Sequence, residues 1–265
     1  MKILAVVSAK GGVGKTTLAA NLGAALALNS RVVCVDLDPQ NALRLHLAVA
    51  MDELDGVSRA TLEGRALSTA LFQSPGSPAV LPYGGITESD RDAFEVHLSE
   101  HPDWLARGLD SLGLGEDDYL VIDTPPGPSL YLQQALRVAK YVLVVLHADA
   151  ASFATVPAME GLIERYCKDR GDFLGSAYVL NNVNSNQTLS RDIVEILRGK
   201  LGDRMVPMVI HQDEAVRESL ASDQLLADYD PHCEATFDIA ACANWVSDTM
   251  SASRQRSRRS KVLSR

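Results

Sequence analysis

Short runs of consecutive apolar residues alternate along this chain with longer stretches in which apolar residues recur every three or four positions. The first kind comprises Ile3–Val7, Arg31–Leu37, Tyr119–Asp123, Tyr141–Leu146, Ala177–Leu180 and Met205–Ile210. Runs this short and continuous, rich in Val, Ile and Leu, are the pattern of strands buried on both faces. The second kind predicts helices over Thr16–Leu28, Phe153–Lys168, Gln187–Arg198, Asp213–Ala221 and Ala235–Met250. Thr16–Leu28 is rich in Ala and Leu with few charges, so it is expected to be largely buried. Residues 40–115 are the least regular and predict helices plus a short strand near Ala79–Pro82. The alternation predicts an α/β fold, a mostly parallel sheet with helices on both faces. With no internal repeat and no interdomain linker, the expected organisation is one domain over 1–250 and a basic, flexible tail over 251–265.

Composition narrows this picture. With 265 residues, 46% of them hydrophobic and 22% charged, the chain can bury a core of its own and is not disordered as a whole. Charge is unevenly placed. Residues 251–265 carry six basic side chains and no acid, which leaves −15 on residues 1–250 of the total −9. An acidic body argues against DNA as a partner, and aromatics at 5% offer no base-stacking surface. Cys34, Cys167, Cys233 and Cys242 are far apart with no CxxC spacing, which argues against a disulfide framework or zinc site and for a reducing compartment. Lys2 leads straight into a strand, and no apolar stretch nears the ~18 residues of a membrane span. The expectation is a soluble, cytoplasmic protein.

The chemistry concentrates in Ser8-Ala9-Lys10-Gly11-Gly12-Val13-Gly14-Lys15-Thr16-Thr17. A strand, a glycine-rich turn and a helix follow in the order a phosphate-binding P-loop requires. Glycines let backbone N–H groups face inward around phosphate oxygens, and the helix N-terminus adds its dipole. Lys15 is placed to reach the β- and γ-phosphates, and the Thr16 hydroxyl to ligate Mg²⁺. A second candidate is Asp36-Leu37-Asp38-Pro39-Gln40, two carboxylates ending a strand. A third is Val121-Ile122-Asp123-Thr124-Pro125-Pro126-Gly127, an apolar strand ending in an acid and a turn. By contrast, His97-Leu98-Ser99-Glu100-His101 matches a zinc-protease spacing, but Pro102 biases His101 out of helical geometry. That segment reads as a surface helix end, and His46, His147, His211 and His232 form no cluster.

Lys10 preceding Gly11-Gly12-Val13-Gly14-Lys15-Thr16, with Ala9 where a generic P-loop has glycine, resembles the deviant Walker A motif of the MinD/ParA family of dimeric ATPases. The resemblance covers about residues 1–250 and implies a P-loop NTPase fold of the SIMIBI-like type, with ATP and Mg²⁺ as cofactors. It implies ATP contacts from Lys10, Gly11, Gly12, Val13, Gly14, Lys15, Thr16 and Thr17, with Lys10 reaching across a homodimer to the partner's nucleotide. Asp36 would hold the Mg²⁺ hydration shell, Asp38 would position the attacking water, and Asp123 would reach Mg²⁺ through water. Gly127 would turn its N–H toward the γ-phosphate. Asn181 and Asn182 stand where the family places an asparagine on the adenine edge; Asn181 fits better, and either amide could serve. Ile210-His211-Gln212-Asp213-Glu214-Ala215-Val216 resembles the family's Ile-Pro-x-Asp-x-x-Val segment, with His211 where proline is usual.

Within that family, Val206–Ala215, Ser219-Leu220-Ala221 and Ala243-Asn244-Trp245, the histidine included, are similar to the MinD-like ATPases of bacterial cellulose synthase operons (the BcsQ type). Lys15 is present, so hydrolysis is expected to be intact and slow. The resemblance implies a homodimer when ATP is bound and recruitment of cellulose synthase or secretion subunits. Contact with the inner membrane would come through a partner or the basic tail. Two other expectations follow from the same chemistry: a partition or cell-positioning ATPase using DNA or membrane as its matrix, and a nucleotide-gated structural adaptor.

Overall fold

The computed structural model describes residues 1–73 and 76–263, the last ten of them by backbone alone. In chain order the elements begin β1 (Lys2–Val7), α1 (Lys15–Ala27), β2 (Val32–Asp36), α2 (Leu43–His46), α3 (Val57–Leu62), β3 (Ala79–Leu81), α4 (Glu88–Glu100) and α5 (Trp104–Leu109). There follow β4 (Tyr119–Asp123), α6 (Leu130–Val138), β5 (Tyr141–His147), α7 (Ala150–Ala154), α8 (Val156–Cys167) and β6 (Gly175–Asn181). The last helices are α9 (Thr188–Leu201), α10 (Ala215–Ala221), α11 (Leu226–Tyr229) and α12 (Glu234–Leu263). Among the described residues the sheet has six strands, all parallel, in the order β3-β2-β4-β1-β5-β6.

Alternation along β1 divides the core. Ala5 and Val7 face one layer with residues of α3, α4, α5, α6, α8 and α9. Leu4 and Val6 face the other, filled by α1, α10, α11 and α12. Both faces are therefore covered, which is why the strands are apolar without a polar alternation. Gly23 brings α1 close to β2, since a Cβ there would stand 2.4 Å from Cys34 Sγ. Cys34 is fully buried and packs as a small apolar side chain.

Several expectations are corrected. Met205–Ile210 is not a strand. Its backbone meets β6 through Val206 N–H to Tyr178 O and Ile210 N–H to Leu180 O, but Pro207 lies between and has no N–H to extend the ladder. Phe153–Lys168 is two helices that break at Thr155, ahead of Pro157 in the first turn of the second. Helix α6 is absent from the sequence-based prediction. The last helix runs to Leu263 rather than Met250, because no Gly or Pro interrupts residues 234–265. The side chains of 254–263 and all of 264–265, where the expected flexible tail falls, lie outside the described residues.

His97 and His101 stack with ring centroids 4.3 Å apart. His101 leaves helical geometry at φ −122°, as Pro102 requires. Among the described residues no helix is long and apolar enough to cross a membrane.

Candidate nucleotide site

Register converges the candidate residues. Asp36 ends β2 opposite Asp123 at the end of β4, and Asp123 also lies opposite Val6 of β1. The carboxyl ends of β1, β2 and β4 thus meet where the loop from β1 to α1 turns, the usual ligand crevice of such sheets. Gly12 and Gly14 have φ of 74° and 78°, a left-handed geometry that side chains resist. At Gly14 a Cβ would also stand 2.4 Å from Asn181 Nδ2. Asn181 Nδ2 donates to Val13 O at 2.8 Å, so the end of β6 holds the loop.

Lys15 is 6% exposed and its Nζ lies 2.8 Å from Asp123 Oδ1. The Thr16 hydroxyl donates to Asp123 Oδ2 at 2.6 Å. Asp36, fully buried, accepts from the Asp38 N–H at 2.8 Å and the Leu43 N–H at 3.0 Å. Burial first, and then the neighbouring Asp123, push the Asp36 carboxyl well above the usual range. Burial also pushes Asp123 up, although Lys15 and Thr16 pull the other way. Two buried carboxylates and a threonine hydroxyl at the end of a P-loop form a donor set that suits a hard divalent cation. Thr16, Asp36 and Asp123 therefore fit Mg²⁺ as its holders.

Asp38 is buried and accepts from the Gln40 N–H at 3.0 Å. Gly127, at φ 75°, donates its N–H to Ser8 O at 2.9 Å. The turn after β4 is thereby pinned to the base of the P-loop rather than left free. Lys10 is half-exposed and forms an ion pair of 2.7 Å with Asp149 Oδ2 in the same chain. Asp149 caps α7 by accepting from Ser152 N–H at 2.6 Å. Burial opposes its charge, but Lys10 and Ser152 outweigh it and hold the carboxyl below the usual range.

A cleft of about 200 Å³ opens beside the P-loop, lined by Gly12, Gly14, Asn181, Asn182, His211 and Asp213 among others. Asn182 is exposed with φ 57°, and Asp213 accepts from Ala215 N–H at the start of α10. Gly12, Gly14, Thr17, Asn181, Asn182 and Asp213 line this cleft, while Lys15, Thr16 and Asp123 are joined by hydrogen bonds and Asp36 ends the neighbouring strand opposite Asp123. Sequence reasoning missed Asp149. Asp149 and Ser152 were legible as a helix cap, but a contact between Lys10 and a residue 139 positions away was not.

Compared with known proteins, residues 1–246 match the profile of the family described as cellulose biosynthesis protein BcsQ. The cellulose biosynthesis protein BcsQ of Escherichia coli K12 is 28% identical over 251 residues, 92% of this chain and 94% of that relative. The chromosome partitioning protein ParA of Caulobacter vibrioides is 27% identical over 270 residues, 99% of this chain and 98% of that relative. Among solved structures, the septum site-determining protein MinD of Pyrococcus horikoshii, complexed with Mg-ADP, superposes with a TM-score of 0.72. It is 22% identical, covering 92% of this chain and 95% of that one.

Proposed function

The chain belongs to the cellulose biosynthesis protein BcsQ family, and from that premise we propose that it is an ATP-hydrolysing, dimerising switch serving the bacterial cellulose synthase complex. Its task would be assembly, localisation or secretion by that machine. The observation that carries the nucleotide part is the meeting of Lys15, Thr16, Asp123 and Asp36 beside two left-handed glycines.

In this reading Lys15 exchanges Asp123 for the β- and γ-phosphates, and the P-loop N–H groups orient the chain of phosphates. Mg²⁺, held by Thr16, Asp36 and Asp123, would offset phosphate and carboxylate charge together. Asp38 orients the water that attacks the γ-phosphate. Lys10 leaves Asp149 and reaches the nucleotide of the facing subunit, acting as a cation supplied in trans. The Gly127 N–H exchanges Ser8 O for the γ-phosphate, so the turn after β4 follows the nucleotide state. The ATP-bound face then recruits the cargo, and hydrolysis releases it.

The test is affinity capture of tagged Asp38→Ala protein from its own cells with ATP present, against a Lys15→Ala control. Enrichment of cellulose synthase subunits supports the reading. A second reading, a partition or cell-positioning ATPase, is favoured by the nearly equal identity to the Caulobacter partitioning protein. Enrichment of a centromere-binding or division protein would establish it and overturn the cellulose cargo.

A further inference from the structure

The cleft beside the P-loop offers a place for the base of a nucleotide whose phosphates the loop holds. Leu18, Ile210, Val216 and Ile239 give that cleft apolar walls, and His211 stands on its polar edge. What fixes His211 lies on α12. The His211 N–H donates to Asp238 Oδ2 at 2.9 Å, and ring Nδ1 lies 2.8 Å from the same oxygen. Glu234 Oε1 lies 3.3 Å from that ring nitrogen as well.

A carboxylate can only accept, so Nδ1 carries the proton. In the neutral ring Nε2 is then a lone-pair acceptor on the side opposite α12. The backbone around it is fixed, since Val183 N–H donates to Ile210 O and Gln212 N–H to Val183 O. Asn181, the other candidate for the base, already has one amide N–H on Val13 O.

We propose that His211 selects adenine, with Nε2 accepting a hydrogen bond from the 6-amino group, and that Asp238 is the positioning residue that sets its tautomer. A 6-oxo base presents lone pairs to the same nitrogen and leaves the acceptor unmatched, which is the stronger form of discrimination. The inference rests on the nucleotide reading given above and adds the basis of its selectivity.

The experiment is calorimetric titration of the full chain with MgADP and MgIDP at about pH 8. The wild type should bind MgADP at least about tenfold more tightly than MgIDP, as one matched hydrogen bond implies. His211→Ala should lose about that factor for MgADP and little for MgIDP, so the ratio approaches one. Asp238→Asn should narrow the ratio with His211 still present. In ¹⁵N spectra its ring should change from the Nδ1–H tautomer to a mixture, a readout that does not require the alanine variant to fold. A ratio unchanged in His211→Ala, or a wild type that binds both nucleotides alike, overturns the role of His211 while leaving the nucleotide site intact. A wild type that binds neither overturns the nucleotide reading and this inference with it.

Discussion

His46 ends α2, the helix that follows Asp36 and Asp38 in the chain, and lies 6% exposed with Nε2 3.4 Å from the Thr17 hydroxyl. Burial pulls its imidazole from 6.5 down to about 4. The unfolded chain therefore binds a proton that the folded chain refuses throughout the window between those values. The stability this contributes is full above about pH 6.5 and is lost as pH falls toward about 4. Over the whole window the loss is about 3 kcal/mol. Between about pH 7.5 and about pH 5, where unfolding is easily measured, it is about 2 kcal/mol. The assay is urea unfolding followed by circular dichroism at both pH values, for the wild type and for His46→Gln, which cannot titrate. Asp36 and Asp123, whose carboxyls burial pushes up, act in the opposite direction. They are present in both proteins and cancel in the difference. The wild type should lose about 2 kcal/mol more than the variant on acidification. Equal losses would show that His46 is hydrated or partnered in the folded state, and the reasoning would fail.

Other expectations concern the site and its support. Lys15→Ala and Thr16→Ala should weaken ATP binding by about a hundredfold or more, because charge-assisted bonds to phosphate are removed; unchanged affinity in calorimetry would refute the site assignment. Asp38→Ala should bind ATP normally and stay dimeric in light scattering, whereas a monomer would count against its role in positioning water. Gly23→Ala places a Cβ 2.4 Å from Cys34 Sγ and should cost about 1–3 kcal/mol in urea unfolding despite alanine's better helix propensity. Adding Cys34→Ala to the same chain should recover part of that loss, and a strictly additive pair would exclude the steric explanation.

The sheet was legible where burial on both faces leaves an unbroken apolar run. Tyr119–Asp123 was read with its observed bounds, and β1, β2, β5 and β6 to within a few residues. The same signal misled at Met205–Ile210, since apolar content says nothing of the ladder that Pro207 interrupts. Residues 40–115 were obscure because α2, α3 and α5 span only four to six residues each and α4 buries only Phe94 and Leu98. Even so, Thr87 and Asp90 form a reciprocal cap on α4, a pattern open to reading in the sequence. At the site, the glycine loop could be read because its chemistry is local in the chain. The contacts Lys15–Asp123, Lys10–Asp149 and His211–Asp238 could not. Each joins elements that only the folded sheet or α12 brings together.

The two ion pairs leave both lysines of the loop already partnered. Each lysine of the loop already has its own carboxylate, Asp123 for Lys15 and Asp149 for Lys10. In the reading proposed above, nucleotide entry is an ion exchange at Lys15 rather than the filling of a positive hole. A bare inorganic phosphate that took Lys15 would strand Asp123, which is fully buried, and buried unpaired charge is strongly unfavourable. A polyphosphate arriving with its metal brings a replacement cation for Asp123 in the same event. On that reading the crevice discriminates against simple anions and in favour of a polyphosphate that carries its own metal.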